Sequence, residues 1–440
     1  MFQFSFIQKI VFAATTEEGQ ELVLGLRDVT SKSSDDVLTA FKLFIADIDQ
    51  RSRSTTSDGG KKLLSQIHAT MSDRASTEVR FNVLLKTYRE EVIPMIQAFT
   101  GELEPEDEAS LQDIDTYFCG LHGLVHMAED AVKSLVEAEK AHFARKNETV
   151  PVLSPQCLRS GDGAAGASRL VMATCKAVAK GGDEKSGIHS EAKLYLKETL
   201  KGKFGCNILP FSRPVGSRFN LLFRNASRVW GLRKEIEQLL SLNPSNLLLK
   251  SALNDIRVPF FRSGARTLGF INSLISTPFW NFVEAKGISM AEMNKIYQRL
   301  IDYCDKAAAD PSLVMDGKGP FDGKHVKKDP WFDELFKPDV EHDELTKEIL
   351  AVVMSGLASF GRRQFRDHLE GGVNHVPTTP GDFHTQTAIM LLSIRSSLSS
   401  SSVIVLVHRR CCCCCCCCCC CCCFYYNRGP LRLHRRHHSW

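Results

Sequence analysis

The sequence predicts an α/β unit, then an all-α unit, then a C-terminal tail that builds no core. Three observations predict it. Strand-like and helix-like runs alternate over residues 1–150. From 168 to about 370 the apolar pattern is almost wholly helical. Over 371–440 periodicity is lost, and a serine block and a run of 13 cysteines, Cys411–Cys423, take its place.

The opening elements read as follows. Phe6–Thr15 and Glu21–Val29 are β-like and flank TTEEGQ, a Gly-containing hairpin signal. Ser33 or Ser34 can cap a helix over Asp35–Asp49, with Val37, Phe41, Phe44, Ile45 and Ile48 on one face. After the polar linker RSRSTTSDGG, the apolar middle of KKLLSQIHATMSD predicts a buried strand ending near Ser72. Phe81, Leu84, Leu85, Tyr88, Val92, Met95, Ile96 and Phe99 then recur at helical spacing, with Pro94 expected to kink or strain that helix. A second apolar helix face starts near Tyr117 and runs through Leu121, Leu124, Val125, Ala128, Val132, Leu135 and Val136.

SGDGAAGAS, around residues 160–168, reads as the linker between the units. In the helical unit, Ser289–Glu292 forms a capping box, and Thr277–Pro278 is a helix start with proline in the first turn. Asp310–Pro338 reads as a long loop holding at most a short helix. The tail reads as disordered, or as the translation of a short DNA repeat, since a one-residue run is what such a repeat produces. The alternative is a Cys-rich tail open to palmitoylation.

Composition narrows the class. Hydrophobic residues make up 43% and charged residues 24%, the proportions of a globular protein. The net charge of +4 sits at the end of the chain: six arginines and no acid follow His408, so the first 407 residues carry −2. Any basic surface must therefore be a local patch. The five cysteines outside the run are too sparse for a disulfide framework, which points to a reducing, intracellular compartment. The apolar N-terminus lacks a basic n-region, Lys9 interrupts it, and no stretch approaches ~20 apolar residues, so no membrane span is expected.

Candidate chemistry sits in three places. Asp73 follows a strand and precedes a helix, where a carboxylate is held on a fixed backbone and faces solvent; divalent-metal phosphoryl transfer needs several such groups. The alternative is an N-cap for the following helix. Cys119, His122 and His126 share a helix face that can offer part of a metal site, or histidines satisfied by core hydrogen bonds; no metal is assigned there. Arg218, Arg224, Arg228 and Arg233, with Trp230, can form a basic-aromatic stripe for a DNA backbone, or a solvated helix face with buried aromatics. No P-loop, G-x-S-x-G element or H-E-x-x-H motif is present.

Taken in order, these pieces resemble the hAT transposase superfamily and its domesticated relatives. Ser72–Asp73–Arg74–Ala75–Ser76 resembles the family's aspartate context. Cys119 and His122 match its C-x-x-H element, and Arg218, Phe219 and Asn220 match its R-W/F-N element. The resemblance implies an RNase H-like fold interrupted by a helical insertion domain, with two aspartates and a late glutamate binding Mg²⁺ or Mn²⁺. Asp73 matches the second aspartate. The first belongs on an opening strand ahead of Phe6–Thr15, and the glutamate has no match; Asp28, Asp47 and Glu370 are available but fit no motif. The expectation is thus an incomplete RNase H-like unit with an unpaired strand edge, inactive as an enzyme and holding no assigned cofactor. DNA is the expected partner class, and the nucleus the expected location if transposase-like function is retained. An active nuclease and a purely structural helical scaffold are the rival readings.

Overall fold

The computed structural model describes residues 8–16, 21–31, 33–51, 59–72, 74–100, 114–118, 120–151, 165–183, 185–213, 221–242, 244–284, 290–321, 325–375 and 403–410. It is mostly helical and divides into two units, one formed by residues 1–118 and 397–440, the other by 119–396.

The first unit is a five-stranded sheet with helices. Strands β1 (Gln8–Thr16) and β2 (Glu21–Val29) form the expected antiparallel hairpin, with a register shift between Phe12 and Ala13. Strand β3 (Ile67–Ser72) lies parallel to β4 (Asp115–Phe118). Between the two pairs runs β5 (Val403–Arg410), antiparallel to β1 and parallel to β3, so the order is β2-β1-β5-β3-β4. At Val403–Arg410 this corrects the expectation that the tail over 371–440 is disordered. Five of the first six residues of VIVLVHRR are Val, Ile or Leu, a composition suited to a central strand. Short period-2 runs inside a low-complexity tail carry little sequence signal, which is why the strand was missed. The poly-Cys run lies outside the described residues.

Ile10 and Phe12 alternate with the half-buried Val11, so the hairpin buries one face. On it pack α1 (Ser34–Arg51) and α3 (Ser76–Thr100), through Phe41 against Phe12 at 5.3 Å and against Phe81 at 6.3 Å between ring centroids. The backbone of α3 stays helical through Pro94. The short α2 (Gly59–Ser65) is fixed by Asp49, whose Oδ1 accepts the Gly60 N–H at 2.7 Å. Buried Arg89 donates Nη2 to the Ser65 carbonyl at 2.7 Å, tying α3 to the end of α2.

The second unit begins with α4 (Gly120–Arg145), continues through α5 (Gly166–Val178), α6 (His189–Tyr195) and α7 (Lys197–Phe204), then α8 (Leu221–Gly231), α9 (Arg233–Leu242) and α10 (Leu247–Ile256). Next come α11 (Pro259–Ile271), a π-helical turn Asn272–Ser276, and α12 (Thr277–Glu284). After these are α13 (Met290–Ala309), α14 (Ser312–Met315), α15 (Pro330–Phe336) and α16 (Asp343–Gln364). The unit boundary therefore falls at residue 119 rather than at 150–168. Helix α4 was counted with the α/β unit, but Leu124, Met127, Ala131 and Leu135 belong to the helical core, and α4 packs on α16. A helix face shows that it is buried, not against what.

Helix α12 does begin at Thr277, but it follows no loop: α11, the π turn and α12 run without a break, and Pro278 is the second residue past the wide turn. A π turn shifts the hydrogen-bond ladder and accommodates the N–H that proline lacks. Ser289 of the capping box lies outside the described residues.

Helix α11 is buried almost all round, as a helix at the centre of a bundle must be. Two glycines let its neighbours approach. A Cβ on Gly264 would stand 2.5 Å from the Ala167 Cβ on α5, and one on Gly269 would stand 3.1 Å from the Ser227 Cα on α8. Gly264→Ala is therefore expected to lower unfolding stability by about 1–3 kcal/mol through overpacking, despite the better helix propensity of alanine. Urea denaturation measures this, and a neutral or stabilising result would show that α5 and α11 can separate freely. Among the described residues no helix is long and apolar enough to cross a membrane.

Candidate functional site

Asp73 lies outside the described residues. In sequence it falls between Ser72, the last residue of β3, and Ser76, the first of α3. Arg74 has φ 64°, a left-handed backbone uncommon for a non-glycine residue, and its guanidinium lies 4.7 Å from the Phe118 ring centroid at the end of β4. Thr70 and Ser72, two residues apart on one buried face of β3, carry hydroxyls with no hydrogen-bond partner among the described residues.

Asp28, Asp47 and Asp115 each have other neighbours. Asp47 is ion-paired with Arg27, and Asp28 sits on β2 at the far side of the sheet, opposite Lys9. Asp115 accepts the Tyr117 hydroxyl at 3.2 Å. Strand β5, directly beside β3, contains no Asp or Glu.

Cys119 also lies outside the described residues. On α4, His122 is half-buried, and His126 is paired through Nδ1 with Glu129 at 3.1 Å. Among the described residues, the His, Cys, Asp and Glu side chains close enough to share an ion are Asp339, Glu341 and His342. Arginines already hold that cluster: Arg233 Nη2 donates to Asp339 at 2.9 Å and Arg262 Nη2 to Glu341 at 3.0 Å. Burial opposes the charge on Asp339, but the His342 hydrogen bond and the cations beside it hold its pKa below the usual carboxylate range. The cluster is an ion-pair network joining Arg233 on α9 and Arg262 on α11 to the segment just before α16.

The arginine series divides. Arg218, Phe219 and Asn220 lie outside the described residues. Arg233 is buried, donating to the Trp230 carbonyl at 3.0 Å and pairing with Glu334 at 3.2 Å as well as Asp339. Trp230 is fully buried, with Arg233 at 3.9 Å and Arg266 at 4.8 Å from its ring centroid. These two residues serve the core, not a surface stripe.

Arg224 and Arg228, one turn apart on α8, line a cleft of about 370 Å³ with Lys327, Trp280, Trp331 and Phe332. The Arg228 guanidinium lies 4.1 Å from the Trp331 ring centroid, and Phe204 stacks on Trp331 at 3.5 Å with 6° between planes. Burial pushes Arg228 down to about 10, with Asp329 pulling the other way, so it stays charged at neutral pH. Its buried Nε has no hydrogen-bond partner among the described residues. The π turn supplies Asn272 and Ser273 to the cleft floor.

Lys327 and Trp331 come from the segment read as a long loop, and sequence reasoning missed them. A usable signal was there. Asp329 accepts the Trp331 and Phe332 N–H groups at 3.1 and 3.0 Å, and Pro330 follows it, which is a helix start with an Asp cap and proline in the first turn.

Comparison with known proteins gives no match: no protein-family model, no curated protein and no solved structure is similar to the chain.

Proposed function

We propose that this is a transposase-derived protein of the hAT type, RNase H-like in its α/β unit, that has lost strand-transfer activity and retains binding to nucleic acid. The observation that carries the reading is the sheet order around Asp73. An opening strand joined to β1 by a hairpin would pair antiparallel with β1 on the side away from β2. Strand β5 takes that place, antiparallel to β1 and parallel to β3, and it carries no carboxylate. A metal site built there would have Asp73, which follows β3 in sequence, and no carboxylate from β5. Two-metal catalysis of phosphoryl transfer needs several convergent carboxylates, so one is insufficient. The resemblance leads one to expect an all-helical insertion, and the helical second unit is consistent with that reading; a nuclear location belongs to the same proposal.

The test is cleavage of supercoiled plasmid by the purified full chain with Mg²⁺ or Mn²⁺. The expected result is no nicking above that of Asp73→Ala. Metal-dependent cleavage abolished by Asp73→Ala would overturn the proposed loss of activity. Retention on DNA at two salt concentrations tests the binding: weak, salt-sensitive retention is expected, and none at low salt would favour a structural scaffold.

A further inference from the structure

We infer that the cleft between α8, the π turn and the start of α15 is a phosphate-binding site of nucleotide size, with Arg228 and Arg224 as its anion donors. This goes beyond the loss-of-activity reading and does not depend on Asp73 or on the sheet.

Arg228 is half-buried, with its Nε shut off from solvent. A buried guanidinium is ordinarily paired or fully hydrogen-bonded, because removing it from water is costly. The neighbouring arginines obey the rule: Arg233 reaches Glu334 and Asp339, and Arg266 donates to the Leu335 and Lys337 carbonyls at 3.1 and 2.7 Å. Arg228 differs. It is held over the Trp331 ring, its Nε is left without a partner among the described residues, and it borders open space. Stacking on tryptophan fixes the plane of the guanidinium, and a planar fork held in place matches a phosphate or carboxylate oxyanion.

The surrounding charge favours an anion. Arg224 is exposed one turn earlier on α8, and Lys327, just ahead of α15, also lines the cleft. Asp329 is the one acid in the lining, and its carboxylate is occupied. Oδ1 caps α15, and Oδ2 lies 3.5 Å from Lys327 Nζ. With three cations and one acid, the described lining carries a net charge of about +2 in a concave site, where charge pairs are stronger than on open surface.

Size and walls select the phosphate carrier. A volume of about 370 Å³ is more than a lone oxyanion fills and lies in the range of small-ligand pockets. Both faces of Trp331 are taken, by Phe204 and Arg228, so a base cannot stack on it. Trp280 and Phe332 give apolar wall, and Asn272 and Ser273 on the π turn give polar groups within the same cleft. A nucleotide, free or within a single strand, combines the anion and the flat apolar group these walls accept.

The experiment uses the full chain in reducing buffer, titrated by calorimetry with inorganic phosphate, adenosine monophosphate, adenosine, and a short single-stranded oligonucleotide. Adenosine monophosphate or the oligonucleotide is expected to bind, with adenosine at least about tenfold weaker because it lacks the charge-assisted bonds. Binding of the monophosphate identifies a free-nucleotide site. Binding of the oligonucleotide alone identifies the polymer backbone as the source of the phosphate. Arg224→Ala, at an exposed position, is expected to weaken binding about tenfold, and Arg228→Lys at least as much despite its retained charge. Arg257→Ala, which does not line the cleft, should leave affinity unchanged, and thermal unfolding checks that each variant is folded. The inference is overturned if neither phosphate-bearing organic probe binds, if adenosine binds as well as its monophosphate, or if folded Arg224→Ala binds as tightly as the parent chain. None of these outcomes bears on plasmid cleavage.

Discussion

Replacing Asp255 with alanine is expected to destabilise the helical unit by about 3–5 kcal/mol, the largest effect of any single substitution proposed for this protein. Asp255 at the end of α10 and Arg169 on α5 form a two-pronged pair, Nε to Oδ2 at 2.8 Å and Nη2 to Oδ1 at 2.7 Å. Both are buried, with side-chain exposures of 8% for Arg169 and 1% for Asp255. Arg169 Nη2 also donates to the Pro151 carbonyl at 3.0 Å. Removing the carboxylate strands a guanidinium among Phe261 and the helical core, and that uncompensated charge is the source of the loss. Burial raises the Asp255 pKa, and the Arg169 hydrogen bonds and charge recover only part of that rise. The pair therefore fixes how α5 meets α10 without gaining much over an apolar contact. The double variant Arg169→Met/Asp255→Leu is accordingly expected to unfold within about 1–2 kcal/mol of the parent, or above it. Urea unfolding followed by helical circular dichroism reads both. A single variant as stable as the parent would show that the pair is open to water.

Glu139 is expected to make the same unit less stable as pH rises. It is buried on α4 and accepts the N–H groups of Gly166 and Ala167, the first two residues of α5, at 2.7 and 3.0 Å. It thus caps a helix whose preceding residue, Ala165, has no side chain to do so. Burial raises its pKa from 4.5 to about 7, although the two backbone hydrogen bonds and Arg169 pull it down. The sign follows from proton counting. Between 4.5 and about 7 the folded state holds a proton that the unfolded state has released, so stability falls with rising pH across that window and is level above it. The interval corresponds to roughly 3 kcal/mol. Glu139→Gln removes the titration of this group and should remove its part of the slope; Asp255, whose pKa burial also raises, contributes a slope of the same sign. An unchanged slope in Glu139→Gln would place the pH dependence elsewhere.

Much of this fold was legible locally. The β1–β2 hairpin, the helix α1 beginning at Ser34, and a strand ending at Ser72 all follow from apolar spacing and turn residues close together in sequence. The cleft was half legible. Arg224 and Arg228 stand out as cations one turn apart, but the Trp331 ring that holds Arg228 and the Lys327 that also lines the cleft come from about 100 residues further on. Arg233 and Trp230 look equally suitable in sequence and are buried instead. A cation at helical spacing shows which side of a helix it is on, not whether a carboxylate such as Glu334 or Asp339 waits there.

The sequence by itself determined the β1–β2 hairpin, the strand ending at Ser72, the helical character of most of the second unit, the near-neutral body, and the place of Asp73 in the chain between β3 and α3. Those properties depend on side-chain period, capping and charge counts over a few residues. Only the tertiary structure decided that Val403–Arg410 enters the sheet beside β3, that α4 belongs with the helices, and which arginine faces an open cleft. Each of these is set by a partner far away along the chain. Strand pairing and ion pairing are chosen by geometry after the chain has closed on itself, and period and spacing hold no record of that choice.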